Sequence, residues 1–214
     1  MSVVKPSTPG TPEMPEVVTS PGLLTLVAIA AYLLGSIPFG IVFARIFGLG
    51  NLREIGSGNI GATNVLRTGN RPAAALTLVC DAGKGAAAVL IARALIGEDA
   101  AQVAGFTAFL GHCFPIYLGF KGGKGVATFL GTLLALAFPV GLAACVTWLV
   151  IAVMFRISSL AALIAALMSP AWAWGLGKSE MVLLAAALAM IVWVRHKSNI
   201  ERMLQGTEPR IGKK

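Results

Sequence analysis

The stretch VATFLGTLLALAFPVGLAACVTWLVIAVMF, residues 126–155, decides how this chain is threaded. It runs for 30 residues without a charge. A helix needs about 20 apolar residues to cross a bilayer, so the run is long for one pass and short for two. Pro139 lies near its middle, where a proline removes a backbone donor and clashes with the preceding turn. A break at Pro139 leaves a first half of 13 residues, 126–138. That is only about 20 Å of helix, which neighbouring helices must shield.

Further apolar runs flank this one, at roughly 22–47, 72–96, 103–120, 157–175 and 181–194. Basic residues favour the cytoplasmic end of a membrane helix. The segment 48–71 carries Arg53, Arg67 and Arg71, with Arg45 just before it, and KGGKG (121–125) carries Lys121 and Lys124. The tail carries Arg195, Lys197, Arg202, Arg210, Lys213 and Lys214, whereas GEDAAQ (97–102) is acidic. With 121–125 inside, a single pass over 126–155 strands the basic tail outside. Two passes return it inside, together with Arg156, Ser158 and Ser159. The expected fold is therefore an all-α polytopic membrane protein of about seven transmembrane helices, N-terminus outside and C-terminus cytoplasmic. Six passes with a strongly tilted 126–155 is the alternative.

Composition agrees with this threading. Apolar residues make up 57% and charged residues 12% of 214, against about a quarter charged in a soluble domain. The net charge of +8 accompanies only two tyrosines and no basic–aromatic interleaving, so it reads as membrane-facing and excludes nucleic acid as a partner. Cys80, Cys113 and Cys145 fall inside apolar runs without ligand spacing and read as buried thiols. With only two histidines, His112 and His196, neither a metal nor a cofactor is expected. Residues 1–21 hold five prolines and no apolar signal-peptide core. They are expected to be a disordered leader before a single domain, 22–214.

All the polar, glycine-rich stretches fall on the cytoplasmic side of this threading. In GSGNIGATN (56–64), the glycines let the backbone approach a ligand, and exposed N–H groups can form an anion nest. Ser57, Asn59, Thr63 and Asn64 add neutral hydrogen-bonding groups, and Arg67 a guanidinium one helical turn beyond Asn64. The plain alternative is a flexible connection. In FKGGKGVAT (120–128), a helix begins after Gly125. Its free N–H groups beside Lys124 favour a phosphate, although Lys121 and Lys124 would also serve as a headgroup anchor. His112, late in its run, has a structural and a functional reading of equal weight. In VRHKSNIERML (194–204), His196, Asn199 and Arg202 share one helical face; an interfacial amphipathic tail is the alternative. Asp81 and Lys84 are an i, i+3 pair within the second run, which reads as mutual neutralisation or, more sharply, as a proton relay. There is no His-x-x-x-x-Asp acyltransferase motif, since Tyr117 and Glu201 occupy the fifth position after each histidine.

The blocks GSGNIGATNVLRTGNR, GHCFPIYLGFKGGKGVAT and RHKSNIERMLQGTEPRIG, in this order and spacing, resemble the bacterial integral-membrane glycerol-3-phosphate acyltransferases that use acyl-phosphate. The likeness runs from about residue 23 to the C-terminus. It implies a seven-pass bundle in the bacterial cytoplasmic (inner) membrane, with its site facing the cytoplasm. It also implies transfer of an acyl group from acyl-phosphate to the 1-hydroxyl of glycerol 3-phosphate, giving lysophosphatidate and inorganic phosphate for phospholipid synthesis. The substrates and membrane lipids would be its partners.

Carried over residue by residue, the resemblance puts acyl-phosphate against Ser57, Gly58, Asn59, Thr63 and Asn64, with Gly122 and Gly123. It puts glycerol 3-phosphate against Arg67, Lys124, His196 and either Ser158 or Ser159, with Lys121 nearby. Asn199, His196 and Lys124 fall at the reacting groups, and His112, Asp81 and Lys84 are supporting residues. The base is either His196 or a substrate phosphate. The acyl chain needs an apolar groove, which the small residues of runs 72–96 and 126–138 would shape. The rival readings are a transporter of a small phosphorylated anion and a structural membrane subunit. The transporter lacks the internal repeat that such proteins usually show, and the structural subunit leaves the polar loops unexplained.

Overall fold

The computed structural model describes residues 16–212, and every regular element among them is helical. Helices α1 (Pro21–Gly35) and α2 (Phe39–Ile46) form the first apolar run, interrupted at Ser36–Pro38. The interruption comes from Pro38, which has no N–H to give and pushes the residue before it out of helical geometry. The short α3 (Ala62–Leu66) sits in the first polar stretch, and α4 (Arg71–Leu95), α8 (Ser158–Gly175) and α9 (Val182–Arg195) follow the expected runs closely. After a bend of 59°, α10 (Lys197–Leu204) leaves the bundle.

The decisive stretch is two helices, α6 (Val126–Leu136) and α7 (Phe138–Phe155). The break falls at Ala137, in extended geometry (φ −147°, ψ 104°), two residues earlier than the sequence suggested. Pro139 lies instead in the first turn of α7, where a missing N–H costs nothing. Arg93 of α4 donates to the carbonyls of Ala135 and Leu136 and pairs with Glu98 at 2.7 Å. One guanidinium thus covers the open end of the short α6.

A second correction concerns α5, expected at 103–120 and found at Glu98–Cys113. Glu98 and Asp99 lie in its first turn, where carboxylates complement the helix dipole. Pro115 stops its far end. Asp99 also accepts from the Val18 and Thr19 backbone N–H groups, at 3.1 and 2.8 Å, and from Thr19 Oγ1 at 2.8 Å. The last residues of the expected leader are therefore tied to the bundle; residues 1–15 lie outside the described residues. Of the cysteines, all free, only Cys113 is buried.

Two ends of the bundle emerge from these contacts. One gathers Thr19, Arg93, Glu98, Asp99 and Leu136. The other gathers Arg53, Lys121, Arg156, Arg195 and Ile211. Between them the described residues cross the bundle seven times, as α1–α2, α4, α5, α6, α7, α8 and α9, starting at the first end and finishing at the second. By length and apolarity, α1–α2, α4, α7 and α8 suffice to cross a membrane, and the bent α9–α10 pair is a fifth candidate. Helix contacts are backbone-close: a Cβ on Gly35 would fall 2.0 Å from the Ala108 carbonyl oxygen, and one on Gly131 2.1 Å from that of Ala82. Close approach of this kind supplies the van der Waals contact that holds helices together in lipid.

Candidate active site

The first polar loop is organised from within. Asn64 is 1% exposed. Its Oδ1 accepts from Ser57 N at 3.0 Å and Ser57 Oγ at 3.3 Å, and its Nδ2 donates to the Leu52 carbonyl at 2.9 Å. Arg67 Nη1 lies 3.4 Å from the same oxygen. The loop bends tightly at Gly56 (φ 54°), where a Cβ would stand 2.7 Å from both Asn64 Oδ1 and Arg67 Cδ. Only glycine meets both demands. Ser57, Thr63 and Arg67 are exposed, and Gly58 and Asn59 half-exposed; Asn59 Oδ1 accepts from Ile60 N. Asn64 therefore shapes the loop while its neighbours face outward.

The second loop, 121–125, lies against the end of α5 and enters α6 at Gly125. Gly123 N donates to the His112 carbonyl at 3.1 Å, and a Cβ on Gly123 would strike His112 Nε2 at 2.2 Å. Arg195 Nη2 and Nε donate to the carbonyls of Gly122 and Gly123, at 2.9 and 3.1 Å, with the guanidinium 5.2 Å from the Phe114 ring. Arg53 Nη2 donates to the Lys121 carbonyl at 2.6 Å and links the two loops, while the Lys121 residue itself is exposed.

At the exit of α9 the tail folds back. Lys124 Nζ donates to Asn199 Oδ1. Glu208 Oε1 accepts from Asn199 Nδ2 and from Ser159 Oγ, each at 2.6 Å, and its Oε2 accepts from Arg202 at 2.7 Å. The return is clamped by Arg156, whose carbonyl accepts from Ile211 N and whose guanidinium donates to the Ile211 carbonyl. Ser159 is buried within this network and Ser158 is half-exposed outside it, so the structure separates two serines that the sequence left equivalent.

Charge is concentrated here. Burial, then Arg202, Arg67 and Arg195, push the Lys124 ammonium down to about 8. Burial pushes His196 down to about 4, with Lys124 and Arg195 adding to the effect. Its Nδ1 lies 2.8 Å from the Val192 carbonyl. A carbonyl only accepts, so Nδ1 carries the proton and Nε2 a free lone pair. Burial alone would raise the Glu208 carboxyl, but hydrogen bonds from Ser159, Asn199 and Arg202 outweigh it and hold the group below its usual value.

The supporting residues lie deeper. Lys84 Nζ is 2.9 Å from Asp81 Oδ1, and His112 Nδ1 is 3.5 Å from the same oxygen. The structure thus gathers Lys124, His196, Asn199 and Ser159 at one end of the bundle, with Arg67 near enough to act on Lys124. Sequence reading missed Glu208 and Arg195 as parts of this constellation, and placed Arg202 only on the helical face of His196 and Asn199. Glu208 and Arg202 stand in the third sequence block, but nothing local marks their partners, and Arg195 looked like one more basic residue at a membrane face.

Residues 25–206 match the family model described as glycerol-3-phosphate acyltransferase. A glycerol-3-phosphate acyltransferase of Dinoroseobacter shibae is 68% identical over 201 residues, covering 94% of this chain and 99% of that protein. One from a Jannaschia species is 67% identical over 200 residues, covering 94% and 98%. The fold is similar to the crystal structure of PlsY, an integral membrane glycerol 3-phosphate acyltransferase, in its glycerol 3-phosphate form. That similarity has a TM-score of 0.84 and 39% identity over 89% of this chain and 96% of the other. The lysophosphatidic acid form of PlsY gives a TM-score of 0.83 at 38% identity, with the same coverage.

Proposed function

This chain belongs to the glycerol-3-phosphate acyltransferase family, and from that premise we propose that its acyl donor is acyl-phosphate. The 1-hydroxyl oxygen of glycerol 3-phosphate attacks the acyl carbon. The bond from that carbon to the bridging oxygen breaks, and phosphate leaves with the electron pair. The products are lysophosphatidate and inorganic phosphate. The observation that carries this reading is two glycine-rich loops, joined by Arg53, beside one cationic cluster of Lys124, Arg67, Arg195 and Arg202. Two phosphate-bearing substrates need two adjacent anion sites.

The side chains of Ser57, Asn59 and Thr63 in the first loop take the acyl-phosphate, together with the backbone N–H of Gly122; the N–H groups of Gly58 and Gly123 are already engaged by the Ile55 and His112 carbonyls and, like Asn64, hold the loops in shape. Arg67, Lys124, Ser159 and His196 take glycerol 3-phosphate. Lys124 and Asn199 sit at the reacting groups. A mixed anhydride is already activated, so holding the two substrates in line and neutralising charge supply most of the catalysis.

The hydroxyl proton goes to a substrate phosphate oxygen. A general base works best with a pKa near the operating pH. His196 at about 4 is poorly matched to neutral pH, whereas a phosphate monoester titrates at ~6. His196 Nε2 then orients the hydroxyl. The seven crossings are seven membrane passes of a single domain, 22–214, in the inner membrane, with this end of the bundle facing the cytoplasm. The basic loops there support that orientation.

The test uses purified protein in detergent, acyl-phosphate and labelled glycerol 3-phosphate. Labelled lysophosphatidate and phosphate should form in equal amounts, and acyl-CoA should not replace the donor. No product in detergent, with uptake of labelled glycerol 3-phosphate into sealed vesicles, would make the protein a transporter and overturn the proposal.

A further inference from the structure

The Asp81–Lys84 pair is nearly inaccessible, with side chains 3% and 1% exposed. A buried ion pair is a weak source of stability, because desolvation cancels most of the attraction. Its surroundings point to a geometric role. Lys84 Nζ also donates to the Ile37 carbonyl at 2.8 Å, at the interruption between α1 and α2, where that carbonyl otherwise accepts from Phe39 N at 3.2 Å. Three residues on, Gly40 of α2 presses against the first loop: a Cβ there would lie 1.8 Å from the Ile60 carbonyl oxygen. So Lys84 fixes the end of α2 on which the first loop rests.

On the other side, Asp81 faces His112. The His112 carbonyl accepts from Gly123 N, and its ring lies flush with Gly123 in the second loop. The Asp81 carbonyl also accepts from Thr128 Oγ1 at 2.8 Å, in the first turn of α6 that the second loop enters. One buried pair on α4 is thus connected to both loops.

We propose that Asp81, Lys84 and His112 are a positioning unit that sets the spacing of the two anion-binding loops. The proposal rests on the acyl-transfer reading of those loops. None of the three side chains is hydrogen-bonded to Lys124 or Asn199, the residues proposed to sit at the reacting groups. Their effect is on alignment, where a displacement of about 1 Å costs about 10²-fold in rate. Loss of alignment between substrates that still bind lowers kcat and spares KM.

The test is the paired variant Asp81→Asn/Lys84→Met, which removes both charges together and leaves no uncompensated ion. It should melt within a few degrees of the wild type, keep KM for each substrate within about threefold, and lose about 30-fold in kcat. Lys84→Arg, which retains the pair and the reach to Ile37, should recover most of kcat. His112→Gln provides a second arm should the paired variant fail to fold, and should show the same split between kcat and KM. Wild-type kcat in the folded paired variant, or in His112→Gln if the paired variant does not fold, overturns the proposal and leaves the pair a neutraliser. Failure of the wild type itself to transfer acyl groups would instead overturn the functional reading.

Discussion

Glu208 Oε1 accepts from Asn199 Nδ2 at 2.6 Å, and this bond turns the Asn199 carbonyl oxygen toward Lys124. An amide has one accepting and one donating end, so a carboxylate on one side decides what the other side presents. The same oxygen takes Ser159 Oγ. One acidic side chain from the tail thereby orients Asn199 and Ser159, both proposed to meet substrate, and through Asn199 bears on Lys124.

Glu208→Gln should lower kcat/KM by about 10²-fold, because the new amide lets Asn199 flip and leaves Arg202 unpaired. The carboxyl is held below its usual value of 4.5. A depressed acid stabilises the fold above its unfolded value and loses that contribution as pH falls through its folded one. Wild-type melting temperature should drop faster below pH 4.5 than that of Glu208→Gln; parallel curves would remove Glu208 from the network.

Lys124 is held at about 8. On the proposed reading its cation holds substrate phosphate, so kcat/KM, which reports the free enzyme, should decline above about pH 8. Lys124→Arg, with a group that stays protonated, should lose this alkaline limb even if its activity is reduced throughout.

For His196, a neutral side chain at neutral pH predicts an orienting part in the reaction. His196→Ala should retain a measurable rate while Asn199→Ala and Lys124→Ala abolish turnover. A loss of about 10⁴-fold in His196→Ala with unchanged substrate binding, the full scale of a lost general base, would make His196 the base.

Arg195 holds the Gly122 and Gly123 carbonyls with two nitrogens of one planar group. Lysine keeps the charge and loses the fork. Arg195→Lys should raise KM for acyl-phosphate by about tenfold, or roughly 1.4 kcal/mol, while an unchanged KM would mean that the loop holds its shape without the fork.

At the opposite end of the bundle, Arg93→Met should leave kcat and both KM values near wild type. It should lower the melting temperature by several degrees, since it uncovers the Ala135 and Leu136 carbonyls at a cost of about 1–3 kcal/mol. Loss of turnover in folded Arg93→Met would show that the two ends are coupled.

Local sequence carried most of the architecture. Apolar runs marked the helices, a proline marked the interruption near 137–139, and Arg and Lys concentrate toward the end where α9 finishes, with Arg93 at the other end. These signals sit within a helix length of the residues they govern. They could also pick out Lys124, His196 and Asn199, because each lies inside a compact polar block. What tertiary structure decided depends on partners far along the chain. Arg93 reaches a carbonyl 42 residues away, Ser159 meets Glu208 across 49, and Arg195 grips Gly123 across 72. No periodicity encodes such pairings, because a hydrogen bond is satisfied by whichever group the packed helices bring within about 3 Å. So the break moved to Ala137, where Arg93 covers the carbonyls left open, Asn64 turned inward to hold its own loop, and Ser159 rather than Ser158 joined the Glu208 network.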